Sequence, residues 1–179
     1  MAAKGPGFQK PRLIPKDHLA AIGSIACLWT AVEIYMELTI LGLYEIDMGR
    51  GLVLTNNLTF QSRMSLLRIL AGEKTEKLMT AAQAEELGKI LGRVEDAYND
   101  RNIVVHALWD HADKPGFVRR RTIRARGKKL QTVTQDYSAA DLRAIADRID
   151  VLLKDFADLT VRMGVDLRLA AAPKHSTQR

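Results

Sequence analysis

The sequence predicts an all-α domain: a four-helix bundle-like fold with a basic β-hairpin between the third and fourth helices. Apolar residues recur at three- and four-residue spacing along four long segments, which is the pattern of helices with one buried face. Two of these segments open with a capping-box pattern, Thr80 with Gln83 and Ser138 with Asp141. After Pro115 the residues become β-branched and basic, which favours strands over helices.

The four helices are separated by glycines, prolines and capping residues. In chain order they are expected to run from Pro15 or Asp17 to before Asp47, from residues 55–57 to about Leu70, from Thr80 to about Trp109, and from Ser138 to about Met163. Residues 1–15 are predicted to be a flexible lead and residues 166–179 a disordered tail. The residues between them, 16–165, are predicted to form a single domain.

The predicted hairpin covers residues 117–134 and turns at Gly127 and Lys128. Eight of the 27 basic residues of the chain lie between Lys114 and Gln135, and no acidic residue lies there. Such an arm attracts phosphate backbones, although a solvated loop is an equal alternative. The candidate nucleic-acid-binding residues are Arg119, Arg120, Arg121, Arg124, Arg126, Lys128 and Lys129.

The turn would also place like charges opposite each other. Arg126 would face Lys129 across the two strands, and Arg120 would lie on the same face of the hairpin. Like charges in such a position destabilise a hairpin. A bound anion or exposure to water is therefore expected to compensate.

Composition narrows the class of protein. With 47% hydrophobic and 27% charged residues the chain is typical of globular domains. Glu33 and Glu37 interrupt the longest apolar stretch, so no membrane span is expected. The single cysteine, Cys27, is expected in the core and excludes a disulfide framework within the chain. Together with the lack of an apolar signal-peptide core, this predicts a cytoplasmic protein.

The third predicted helix carries a charged residue where its apolar stripe should continue. The stripe comprises Leu87, Ile90, Leu91, Val94, Tyr98, Val105 and Leu108, and a helical wheel places Arg101 within it. A buried guanidinium without a partner is very costly, so Arg101 must be paired or face a cavity. An ion pair with Glu33 or Glu37 would satisfy it, and so would a functional site. The sequence leaves both interpretations open.

Arg101, Asn102 and His106 give the order Arg-Asn-x-x-x-His late in that helix. This order resembles the Arg-x(4–6)-His motif of the HEPN superfamily, helical domains of which many are metal-independent ribonucleases. The residue after the arginine is typically polar in that family, often Asn, as it is here. Two further arginine–histidine pairs fall within the same spacing, at residues 12–18 and 168–175, but proline interrupts both and leucine follows each arginine.

The resemblance implies an endoribonuclease in which a 2′-hydroxyl attacks the neighbouring phosphate and leaves a cyclic phosphate end. His106 would act as general base and acid, Arg101 would stabilise the phosphate, and Asn102 would orient the pair or bind substrate. The implied partners are RNA, a second copy completing a homodimeric site, and an antitoxin or regulatory protein in a toxin–antitoxin or defence role. An alternative is a non-catalytic dimeric helical module that binds nucleic acid or a regulatory partner.

Neither a cofactor nor a metal site is expected. His106, Asp110, His111 and Asp113 come nearest to a metal-ligand cluster. The two histidines are five residues apart and would point to different sides of a helix. No second cluster supplies further ligands.

Overall fold

The computed structural model describes residues 14–55, 57–72, 78–126 and 129–165. Within them the chain forms five helices and three strands: α1 (Lys16–Leu43), α2 (Met48–Thr55), α3 (Phe60–Gly72), α4 (Ala81–Val105), β1 (Leu108–His111), β2 (Phe117–Arg126), β3 (Lys129–Ser138) and α5 (Ala139–Arg162). The prediction of an all-α fold is therefore wrong, because an antiparallel sheet of order β1-β2-β3 joins α4 to α5. Most of the predicted lead, the whole predicted tail and the turn residues Gly127 and Lys128 lie outside the described residues.

The four long helices α1, α3, α4 and α5 surround one apolar core, and α1 contacts the other three. The largest fully buried side chains include Trp29, Phe156, Met36 and Leu87. Burying them removes apolar surface from water, which is the main stabilising contribution in such a bundle.

Both predicted capping boxes are present. Thr80 accepts a hydrogen bond from the Gln83 backbone N–H at 3.3 Å, and Ser138 accepts one from that of Asp141 at 3.1 Å. These caps satisfy N–H groups that have no partner inside the helix. The predicted starts of α4 and α5 are confirmed.

The segment after α1 differs from the prediction. The glycines near residue 50 were expected to break the helical pattern, but they form α2, whose Asp47 Oδ1 accepts from the Arg50 N–H at 3.1 Å. A Cβ on Gly51 would come within 2.3 Å of Leu41 Cδ2, so glycine permits the close approach of α2 to α1. The next helix consequently begins at Phe60 rather than at residues 55–57.

The end of α4 also differs. The helix stops at Val105, not near Trp109, and His106 is its C-cap, with its N–H donating to the Asn102 carbonyl at 3.3 Å. Trp109 instead pairs with Arg120 in the sheet, and its indole Nε1 donates to the Val104 carbonyl at 2.9 Å. The indole thus satisfies one of the last carbonyls of the helix. Four-residue β1 is too short to show a strand period in the sequence.

The hairpin is longer than predicted, since β3 continues to Ser138. Arg126 stands opposite Lys129 in the strand register, as expected. One face of the sheet meets the core, where Val118 is 0% and Tyr137 8% exposed, while Ile123 on the other face is 59% exposed. The face that carries Arg120 therefore points inward at this end of the sheet.

Helix α1 is long and apolar enough to cross a membrane by length and composition, with a mean hydropathy of 1.6. The core helix of a soluble protein and a signal sequence near the N-terminus meet the same criterion. Trp29, Val32 and Met36 of α1 are buried against the bundle. Cys27 is exposed, so its predicted place in the core is wrong. Two residues before Trp29, it lies well around the helix from the buried face.

Candidate functional site

Arg101 lies on the buried side of α4. The buried side chains of this helix are Leu87, Ile90, Leu91, Val94, Ala97 and Val104, and Arg101 stands one turn from each of the last two. Val105 and Leu108 were also expected in this stripe. Val104 takes that place instead, and Leu108, beyond the end of the helix, is 64% exposed.

The three predicted catalytic residues meet at the end of α4. Arg101 Nη1 lies 2.9 Å from Asn102 Oδ1 and 2.9 Å from His106 Nε2. His106 is exposed, whereas Arg101 and Asn102 are half-buried. The structure therefore brings together a cation, an amide and an imidazole at one point where the apolar stripe reaches solvent.

The contact between Arg101 and His106 defines which ring nitrogen faces the guanidinium. A guanidinium can only donate hydrogen bonds, so Nε2 is the acceptor in this contact. A neutral imidazole that accepts in this way carries its proton on Nδ1. Nε2 of His106 therefore lies 2.9 Å from the Arg101 guanidinium.

The proposed ion pair between Arg101 and Glu33 or Glu37 is not formed. Arg63 takes both carboxylates instead: its Nη2 lies 2.5 Å from Glu37 Oε1, and its Nη1 lies 4.0 Å from Glu33 Oε1. Arg101 Nε is buried and has no hydrogen-bond partner among the described residues. The guanidinium of Arg101 thus bonds only to neutral groups in the part of the chain that the structure describes.

The outward arginines of the hairpin are engaged by carboxylates. Arg119 donates from Nε and Nη2 to Asp136, at 2.8 and 3.1 Å, and from Nη1 to Asp113 at 2.9 Å. These bonds raise the pKa of Arg119 and lower that of Asp136. Arg121 donates to Asp110 Oδ2 at 3.0 Å. The acids that flank the basic run therefore neutralise the charge of these two arginines.

Arg120 differs from both of its neighbours. It is only 5% exposed, and its Nε is buried without a hydrogen-bond partner in the described ranges. The strand alternation places it on the face of Val118, and that alternation in the sequence could have predicted the shared face but not its burial. The side chains of Arg124, Arg126 and Lys129, and all of Lys128, lie outside the description.

A cleft of about 450 Å³ lies beside the site, between α4 and α5. Ala97, Ile149 and Leu152 contribute apolar lining, while Asp100 and Arg148 form an ion pair at 2.7 Å. Asp100, the residue before Arg101, thus directs its carboxylate to α5. Among the described residues no group of three or more His, Cys, Asp or Glu side chains is placed to hold a metal ion.

Comparisons with known proteins identify no relative of this chain. No protein-family model, curated protein or solved structure matches this chain. The interpretation of the site therefore depends on its geometry and on the local Arg-Asn-x-x-x-His order.

Proposed function

We propose that this protein is a HEPN-like metal-independent endoribonuclease whose active site is formed by Arg101, Asn102 and His106. The observation that carries the proposal is the pair of 2.9 Å contacts from Arg101 Nη1 to the Asn102 amide oxygen and to His106 Nε2. A half-buried cation beside an exposed imidazole supplies the two groups that phosphodiester transfer needs.

In the proposed reaction His106 Nε2 accepts the proton of a ribose 2′-hydroxyl. The 2′-oxygen forms a bond to the adjacent phosphorus, and the bond from phosphorus to the 5′-oxygen of the next nucleotide breaks. The products are a 2′,3′-cyclic phosphate and a 5′-hydroxyl, whose oxygen receives the proton back from the imidazolium. No further reactant is required.

Arg101 would bind the phosphate and offset the charge that develops on its oxygens. Without substrate its Nη1 occupies the lone pair of His106, so the base is shielded. A phosphate would draw the guanidinium away and free Nε2 for the 2′-hydroxyl. The Asn102 amide oxygen would keep Nη1 near the site during this exchange.

We further propose that the site works in a homodimer in the cytoplasm, as the resemblance to the HEPN superfamily implies. Only one histidine of the described residues contacts Arg101, and a second copy would complete this sparse site while each His106 returns the proton that it accepted. An antitoxin or regulatory protein that covers His106 would control such an enzyme, consistent with a toxin–antitoxin or defence role.

The test uses purified protein and labelled RNA, single-stranded and structured, in EDTA. Wild type is expected to cut, and His106→Ala and Arg101→Ala are expected to abolish cutting with the helical circular dichroism signal unchanged. Arg93→Ala, which removes a half-exposed arginine of the same helix, serves as the matched control. The enzymatic proposal fails if wild type binds RNA without cutting it, or if Arg101→Ala raises stability and leaves activity intact.

The second candidate, a non-catalytic module that binds a partner, is favoured by the outward face of the sheet. Leu108 is 64% and Ile123 59% exposed there. Leu108 stands opposite Arg121, two positions from Ile123 on the same face. Exposed apolar side chains beside charged ones are common in protein interfaces. RNA binding without cleavage in the experiment above would select this candidate.

A further inference from the structure

We infer that Arg120 is a second phosphate-binding residue of the same site, which holds the scissile phosphate between two guanidinium groups. The inference rests on the proposed function and adds to the proposed site a residue from the sheet. It assigns the binding role to an inward arginine of the hairpin rather than to its outward ones.

Arg120 is a buried cation without a visible counter-charge. It is 5% exposed, its Nε has no partner, and no carboxylate of the described residues lies within 4.0 Å of its guanidinium. Its neighbours Arg119 and Arg121 engage Asp113, Asp136 and Asp110. A guanidinium buried in this state costs free energy, which a bound anion would recover.

The residues around Arg120 offer it little compensation. Burial raises the pKa of Tyr137, while the nearby charge of Arg120 acts in the opposite direction. Asp100 also acts on that phenol, but its carboxylate is held by Arg148 at 2.7 Å. Gln135, directly opposite on β3, is exposed.

The fold places Arg120 at the same end of α4 as Arg101. Arg120 is the direct strand partner of Trp109, and side chains of such partners lie on one face of the sheet. The Trp109 indole bonds to the Val104 carbonyl, and Val104 is one helical turn from Arg101. Arg120 and Arg101 are thus connected through the contact of Trp109 with Val104, which joins β1 to α4.

Both arginines share one further property: each has a buried Nε with no partner in the described part of the chain. A phosphodiester carries two free oxygens, and each can accept from one guanidinium. Entry would be from the side of His106, which is exposed. The ligand class is therefore the phosphodiester of an RNA strand.

The test compares Arg120→Met with Arg121→Met. Both changes remove one positive charge from adjacent positions of β2, but Arg121 faces outward. The probe is a 2′-O-methyl RNA oligonucleotide, which has no hydroxyl for attack and so measures binding alone. Arg120→Met is expected to weaken binding roughly tenfold or more and Arg121→Met less than about threefold. The slope of log affinity against log salt should fall by about 0.7 only in Arg120→Met.

Melting temperature separates binding from support of the fold. Arg120→Met is expected to keep or raise it, because methionine fills the site without a charge. A fall of more than about 4 °C, equal losses of binding in both variants, or no binding of the probe by wild type would overturn the inference. If Arg120 governs binding but wild type cuts no RNA, the ribonuclease proposal fails and only the phosphate-binding role of Arg120 stands. If wild type cuts RNA in a His106-dependent way and Arg120→Met leaves this cutting unchanged, the ribonuclease proposal stands and the inference about Arg120 fails.

Discussion

The arginines on the outward face of the sheet and those at its junction with α4 are in opposite electrostatic states. Outside, Arg119 and Arg121 donate to three carboxylates. At the junction, Arg101 and Arg120 keep buried guanidinium atoms without a partner among the described residues. An arginine that is paired within its own chain has less to offer a ligand. Which arginines lack partners is thus more informative about binding than how many occur in a run.

The comparison predicts the largest effect at Arg101. Arg101→Met should lower RNA cleavage by about 10²- to 10³-fold, because the charge on the phosphate is no longer stabilised. It should leave the melting temperature unchanged or higher, since no carboxylate loses its partner. Cleavage rates and thermal unfolding of Arg101→Met and Arg93→Met are to be compared. A large loss of stability in Arg101→Met alone would show that Arg101 supports the fold.

Arg63 is a structural arginine and should behave in the opposite way. Its side chain is 12% and that of Glu37 is 15% exposed, so Arg63→Met leaves a nearly buried carboxylate unpaired. The expected loss is about 3 kcal/mol of unfolding free energy, measured by urea denaturation. The double variant Arg63→Met with Glu37→Leu should recover most of it. Cleavage per folded molecule should be unaffected. A loss of cleavage without a loss of stability would contradict the assignment of Arg63 as a structural arginine.

On the outward face, Asp136→Asn should increase affinity for RNA slightly. It releases Arg119 from its two-pronged contact, so the expected gain is about twofold to threefold at low salt and vanishes at high salt. Fluorescence anisotropy with the 2′-O-methyl probe measures it. Asp147→Asn, which removes an exposed carboxylate of α5, is the control for net charge. A tenfold gain would show that the outward face is a binding surface held closed by its own carboxylates.

The same variant has the smallest expected effect on stability, and that effect depends on pH. Hydrogen bonds from Arg119 lower the pKa of Asp136 in the folded protein. The contribution of Asp136 to folding stability is therefore present above the ordinary aspartate pKa of about 4. It is lost as pH falls through the lowered pKa of the folded state. The difference in melting temperature between wild type and Asp136→Asn should be small at pH 7 and disappear in acid. A difference that grows in acid contradicts the assignment.

Periodicity and capping predicted much of the helical bundle. Four long helices were expected, and the boxes at Thr80 and Ser138 located two of their starts. The candidate site at the end of α4 was proposed from the order of Arg101, Asn102 and His106 and from the position of Arg101 in an apolar stripe. These features are local, so a single segment of sequence contains the information.

What the sequence did not predict depends on contacts between distant segments. Strand β1 forms because its residues pair with β2, and no strand period is visible in four residues. Likewise, composition showed that the hairpin is basic, but Asp110, Asp113 and Asp136 lie outside the acid-free run and pair with it only in three dimensions. The burial of Arg120 needed both the strand register and the knowledge of which face meets the helices.

The nature of the RNA ends tests the ribonuclease proposal most directly. An RNA oligonucleotide and a copy with 2′-O-methyl groups are incubated with wild type in EDTA, and the products are identified by mass spectrometry. The proposed roles of Arg101, Asn102 and His106 predict a 2′,3′-cyclic phosphate and a 5′-hydroxyl from the RNA, and no product from the methylated copy. Cleavage of the methylated copy, 3′-hydroxyl ends, or no cleavage at all would contradict the proposal.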